Sequence, residues 1–310
     1  MYYRFYGLKE DAFRLTADPR FLYLSPAHRE ALSGLVYAVL QAKGLVVLTG
    51  PIGSGKTTLL RAALAIFARR QVATVFLSDP LLTREEFFQV ILSGLGIEKT
   101  PRNKAETLAL LQGVLMENAH RGLLTALVID EAQGLSHELL EQVRLLNNLE
   151  TQKGKLLHTV LSGQPEFWSR LKRPECQYLK QRVALACQLR PLTEEQTQQY
   201  IEQRLQIAGL RDRAVFSEKA MQAIFRFSGG IPRLINTLCE GALQIGYAQN
   251  QRLVDCGPVA EAARDHGLID AVSALGPGEP EEGVLQPRDA AAGPRSLEEF
   301  IQLVDRMNVS

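Results

Sequence analysis

Gly50-Pro-Ile-Gly-Ser-Gly-Lys-Thr57 decides the fold of this chain. It fits the pattern G-x-x-x-x-G-K-[ST], with Gly50, Gly55, Lys56 and Thr57 in the defining places. Before it, Gly44-Leu-Val-Val-Leu-Thr49 is a short apolar run, partly β-branched, and reads as a buried strand. After it, Thr57 to Phe67 is rich in helix formers. A strand, a glycine-rich turn and a helix N-terminus make an anion site. Glycines let the backbone wrap closely around phosphates, and the free N–H groups of the first helical turn point at them. The span Gly50, Pro51, Ile52, Gly53, Ser54, Gly55, Lys56, Thr57 and Thr58 is therefore expected to cradle the phosphates of a nucleotide. Lys56 is expected on the β- and γ-phosphates, and the Thr57 hydroxyl on Mg²⁺.

A second stretch is the expected companion of the first. Leu123-Leu-Thr-Ala-Leu-Val-Ile-Asp-Glu131 is an apolar strand ending in two carboxylates. At the strand's end Asp130 is expected to hold Mg²⁺, usually through water, and Glu131 to orient and deprotonate an attacking water. Leu156 to Leu161 is another strand, ending in Ser162-Gly-Gln-Pro165. A polar side chain there can reach the γ-phosphate or the water. Gln164 is the first candidate and Ser162 the second, with a plain turn as the competing reading.

Around these stretches the chain alternates strands and helices as far as Pro191, then continues as helices only. Such an order suggests an α/β sheet with helices on both faces, followed by a small all-α domain. Residues 1–25 are aromatic-rich and either pack over a nucleotide base or cover the sheet; cover is the favoured expectation, with a base contact as the alternative. Ser25-Pro26 opens a helix. Capping boxes open others at Thr83-Arg-Glu-Glu86, Thr193-Glu-Glu-Gln196 and Ser296-Leu-Glu-Glu299. Strands are also expected over Gln71–Leu77 and Ala184–Leu189. The resulting division is 1–191 for the α/β unit, 192–270 for the helical lid, 271–295 for a Pro- and Gly-rich linker and 296–310 for an amphipathic tail helix. Leu297, Phe300, Ile301 and Val304 share one face of that tail. It either docks on its own chain or serves a partner.

Composition sets bounds on function. The sequence is 46% hydrophobic and 22% charged, ordinary for a globular protein. A net charge of +1 argues neither for nucleic acid nor against it. Cys176, Cys187, Cys239 and Cys256 form no C-x-x-C pair and read as buried thiols in a reducing compartment. No apolar run is long enough to span a membrane, and the first residues lack the apolar core of a signal peptide.

Taken together, the motifs resemble those of a AAA+ ATPase of the ExeA-type group, associated with general secretion, pilus biogenesis and exopolysaccharide, with TniB-type transposition ATPases as neighbours. The resemblance covers about residues 1–265. Phe5-Tyr-Gly-Leu8, Asp18-Pro-Arg-Phe-Leu-Tyr-Leu-Ser25 and His28-Arg-Glu-Ala-Leu32 resemble its N-terminal signature. Ile129-Asp-Glu-Ala-Gln133, Ser162-Gly-Gln-Pro-Glu166, Gln181-Arg182 and Gly229-Gly-Ile-Pro-Arg233 are similar to its later motifs. It implies ATP hydrolysis with Mg²⁺. Arg182 is then an arginine finger on a neighbouring subunit's ATP, and Arg233 a lid residue on the γ-phosphate of its own ATP. Also implied are a homo-oligomer, a protein partner in a secretion or export system, and a cytoplasmic location peripheral to the inner membrane. The alternative is a DNA-associated switch of the transposition type. Some members of the group carry a membrane span and a peptidoglycan-binding domain after the ATPase. Neither is read here, which leaves the tail helix as the expected adaptor.

Overall fold

A computed structural model describes residues 2–268, apart from 17, 153 and 212, together with 297–306. Its centre is a five-stranded sheet. In chain order the strands are β1 (Leu45–Thr49), β2 (Ala73–Leu77), β3 (Thr125–Ile129), β4 (His158–Gly163) and β5 (Val183–Gln188). Across the sheet they run β2-β3-β4-β1-β5, and every pairing is parallel. All residues of β1, β3 and β4 are buried, as a sheet covered on both faces requires.

Alternation along each strand divides the core in two. Leu45, Val47, Leu127, Ile129 and Leu161 face helices Arg84–Gly94, Lys104–His120, His137–Leu146 and Pro165–Leu171. Val46, Leu48, Ala126, Val128 and Val160 face helices Pro26–Leu40 and Lys56–Arg69. The capping boxes at Thr83 and Thr193 are both formed. Ser296 of the third lies outside the described residues, as does the 271–295 linker. Strand β2 begins later than the sequence suggests. Gln71 takes a left-handed turn (φ 55°) and Val72 N–H returns to Phe67 O, so the chain closes the preceding helix before extending. Three of the cysteines are buried, but Cys256 is exposed at the start of its helix, against expectation.

A third apolar cluster joins the helices after Pro191. Residues 1–25 do not simply cover the sheet. Leu22 and Leu24 pack on the sheet side, whereas Tyr6, Leu8, Ala12, Phe13 and Phe21 join the helical cluster. Such a division has a physical cause. Arg204, a buried guanidinium on helix Glu194–Ile207, donates to Ala12 O (2.6 Å) and Tyr200 Oη (3.1 Å) and lies 4.7 Å from the Phe21 ring centre. A buried cation needs such partners, and the N-terminal segment supplies them.

The tail helix, Leu297–Arg306, docks on this chain. Phe300 and Ile301 are buried in the cluster formed with the two helices Pro26–Leu40 and Lys56–Arg69, and Arg70 Nη2 donates to Val304 O at 2.7 Å. The expectation of an adaptor is therefore corrected for this face: it is spent on the core. Phe300→Ala is expected to lower the unfolding free energy by at least about 1 kcal/mol, with Tm falling several degrees. The ceiling is the docking free energy of the helix, so deleting 296–310 should cost a similar amount. An unchanged midpoint in thermal unfolding would remove the helix from the core.

Candidate active site

Most of the expected site lies at the carboxyl ends of the parallel strands, where ligands of open α/β sheets bind. After β1 the chain turns through Gly50–Gly55 into helix Lys56–Arg69. Gly53 has φ 79°, and a side chain there would meet Arg233 Cβ at 2.7 Å, so the turn and the close approach both require glycine. Lys56 is buried and donates to Gly50 O (2.9 Å) and Pro51 O (3.1 Å), inside the loop's own ring. Burial pushes its ammonium below the usual lysine range, while the Glu131, Asp130 and Glu166 carboxylates pull it back up.

The two sequence stretches meet through one hydrogen bond. Thr57 Oγ1 donates to Asp130 Oδ2 at 2.6 Å across a separation of 73 residues. Asp130 is buried, and its other oxygen accepts from Ser162 Oγ (2.8 Å) and from Glu131 N–H (3.0 Å). Ser162 is itself fully buried, so its hydroxyl orients Asp130 rather than reaching outward. Glu131 adopts φ 50°, a left-handed conformation that costs a non-glycine residue about 1–3 kcal/mol. Its carboxylate accepts a hydrogen bond from Gln133 Nε2.

A cavity of about 320 Å³ collects most of the expected site. Ile52, Gly53, Ser54, Gly55, Lys56, Thr57, Thr58, Glu131 and Arg233 all line it. Asp130 stands just behind Thr57. Gln164 lies outside the lining, at the head of helix Pro165–Leu171, with its backbone N–H held by Gln133 Oε1 at 3.1 Å. Arg233 begins helix Pro232–Ala248, and its N–H donates to Gly53 O at 3.2 Å, joining the helical unit to the loop. Arg182 is elsewhere. It is exposed, immediately before β5, at the opposite end of the sheet and about 16 Å from the loop by strand rise. Lys155 and, to a lesser degree, Arg182 hold the nearby Glu150 carboxyl below its usual range.

Sequence reasoning assigned no role to several residues of this site. His28 is buried, and its Nε2 donates to Ser54 O at 3.0 Å while Nδ1 lies 2.7 Å from Ser25 Oγ. A carbonyl only accepts, so the proton sits on Nε2. Burial pushes the imidazole below its ordinary pKa and keeps it neutral. Phe21, Leu22, Tyr23, Leu192, Tyr200 and Asn236 form the cavity wall away from the loop. The aromatic run of residues 1–25 signals the wall's Phe21 and Tyr23, whereas no local motif marks His28, whose partner lies in a distant segment.

The comparisons agree with this geometry. Residues 39–171 match the family described as AAA domain. Over 267 residues, 85% of this chain, the sequence is 38% identical to "General secretion pathway protein A" of Aeromonas hydrophila, of which the chain spans 48%. Cdc6p from Pyrobaculum aerophilum superposes with a TM-score of 0.63 at 19% identity, over 83% of this chain and 71% of that one. Drosophila ORC bound to DNA gives 0.63 at 20% identity, over 85% and 66%. At those identities the two structures bear on the fold alone. With its parallel sheet, glycine-rich loop, paired carboxylates and helical C-terminal region, this chain carries an AAA domain over residues 39–171 and shares the fold of these structures.

Proposed function

We propose that this chain binds ATP with Mg²⁺ in the cavity between the sheet and the helical unit and hydrolyses it to drive or switch assembly of a secretion, pilus or surface-polysaccharide export system. The observation that carries the chemistry is the Thr57–Asp130 contact at 2.6 Å, beside Lys56 and Glu131. A hydroxyl and a carboxylate side by side are the hard oxygen donors Mg²⁺ prefers, and Ser162 orients the carboxylate behind them. Thr57 and Asp130 would hold the ion, which would supply positive charge against the charge developing on the transferring phosphoryl group.

In this reading Lys56 leaves the loop carbonyls for the phosphates. Glu131 takes the proton of the attacking water, and Arg233 balances charge on the γ-phosphate from the same chain. Gln164 is kept only as a polar contact at the site's edge. The wall of Phe21, Leu22, Tyr23 and Tyr200 receives the base. Arg182 serves a neighbouring subunit, so the working unit is a homo-oligomer. Similarity to general secretion pathway protein A over most of the chain supports the secretion role, and with it a cytoplasmic site of action next to the inner membrane. Among the described residues, no helix is long and apolar enough to cross a membrane.

Lys56→Ala tests the site. Hydrogen bonds to charged groups contribute about 1.5–3 kcal/mol, so ATP affinity should fall at least about tenfold in a fluorescent-nucleotide titration. Unchanged affinity would sink the assignment. The pathway is tested by pull-down with and without ATP. Recovery of export-system components in an ATP-dependent way is expected, and recovery of DNA-bound complexes instead would overturn the secretion reading.

A further inference from the structure

We infer that Gln133 is a positioning residue: one side-chain amide fixes the Glu131 carboxylate and ties it to the end of β4. The inference rests on the reading of Glu131 as the base. Gln133 sits in the single turn Ala132–Gly134 after Glu131. Its Nε2 donates to Glu131 Oε2, and its Oε1 accepts from Gln164 N–H at 3.1 Å. The amide cannot be turned the other way, because a carboxylate only accepts and a backbone N–H only donates. Arg170 Nη1 pins the same turn by donating to Leu135 O (2.7 Å) and Gln133 O (3.3 Å). Gly163 completes the seat: a side chain there would meet Gln133 Oε1 at 3.0 Å and Phe167 Cβ at 3.1 Å.

The consequence is chemical. Glu131 stands in a left-handed turn with a flexible side chain, and a base works only within hydrogen-bond reach of its proton. Gln133 engages one carboxylate oxygen and leaves Oε1 with no hydrogen bond to the described residues, hence available to a water. It also makes Glu131 respond to any movement at the end of β4, since both hang on the same amide. A misplacement of about 1 Å in such a group can cost about a hundredfold in rate.

The test uses the full chain. Gln133→Met keeps length and volume but loses both hydrogen bonds. Turnover should fall about 10–100-fold, with KM and ATP affinity changed less than about twofold. Gln133→Glu keeps the acceptor for Gln164 but loses the amide donor to Glu131, so turnover should fall as in Gln133→Met, again with KM and ATP affinity nearly unchanged. The double variant with Glu131→Gln should be no slower than Glu131→Gln alone, because the two act as one device. Wild-type turnover in Gln133→Met or additive losses in the double variant overturns the inference. If Gln133→Met fails to fold, Gln133→Glu decides: a loss in kcat with KM kept is expected, and wild-type turnover overturns the inference. Failure of the underlying reading looks different: Glu131→Gln itself would then turn over ATP at the wild-type rate.

Discussion

Glu131→Gln is expected to bind ATP about as tightly as the parent chain and to turn it over at least about 10²–10⁴-fold more slowly, the range general bases contribute. The amide is isosteric with the carboxylate but cannot accept the water's proton. Binding survives because the parts that hold phosphate lie elsewhere. Lys56 and the loop N–H groups sit on the β1 side, and Thr57 meets Asp130 rather than Glu131. The substitution also removes one of the carboxylates that hold the Lys56 pKa up against burial, and bound phosphates would replace the lost charge. An ATP-loaded assembly should therefore accumulate. Phosphate release measured beside size-exclusion chromatography in ATP reads both halves of the expectation. Turnover at the wild-type rate would assign the base to another residue.

What the sequence made legible follows the range of the interactions. The phosphate loop is a local device. Strand, turn, helix N-terminus and the glycines that permit them are contiguous, and the structure builds them over the same residues. Asp130 was readable because a run of apolar residues ending in a carboxylate places that carboxylate at a strand's carboxyl end. The boxes at Thr83 and Thr193 were readable for the same reason, since donor and acceptor lie three residues apart. His28 was not, because its partner Ser54 is 26 residues away and nothing in either segment names the other. Arg204 and Ala12, separated by 192 residues, place the N-terminal segment in the helical cluster by a contact that no periodicity encodes. The tail helix sits between these cases. Its apolar face was visible in the spacing of Leu297, Phe300 and Ile301, but the surface that face would meet was not. Gln133 ends the Ile129-Asp-Glu-Ala-Gln133 motif, yet its two contacts join Glu131 to Gln164, 31 residues away, which the motif does not encode.

Arg182 decides whether one chain suffices for turnover. It stands at the amino end of β5, whereas the phosphate loop leaves the carboxyl end of β1, its neighbour in the sheet. Five strand residues separate the two ends, about 16 Å at 3.3 Å per residue. A guanidinium spans less than half of that, so Arg182 does not reach the cavity of its own chain. It is exposed at an edge of the sheet, and in the proposed reading it serves the cavity of another copy. A finger of this kind is worth about 10³–10⁵ in rate, or about 4–7 kcal/mol of barrier. Arg182→Ala is accordingly expected to cut turnover by that factor while ATP affinity changes little. Arg233→Ala should behave differently, since Arg233 N–H touches Gly53 O and its side chain lines the same cavity, so binding and turnover should fall together. Mixing resolves the geometry. Arg182→Ala and Lys56→Ala should each be inactive alone, but in mixed assemblies some interfaces would join an intact loop to an intact finger, and activity should partly return. Wild-type turnover per subunit should also rise with concentration as assembly completes the sites. A chain that stays monomeric by sedimentation, shows no complementation and turns over ATP at a concentration-independent rate would place the charge-stabilising residue in cis and leave Arg182 a surface arginine.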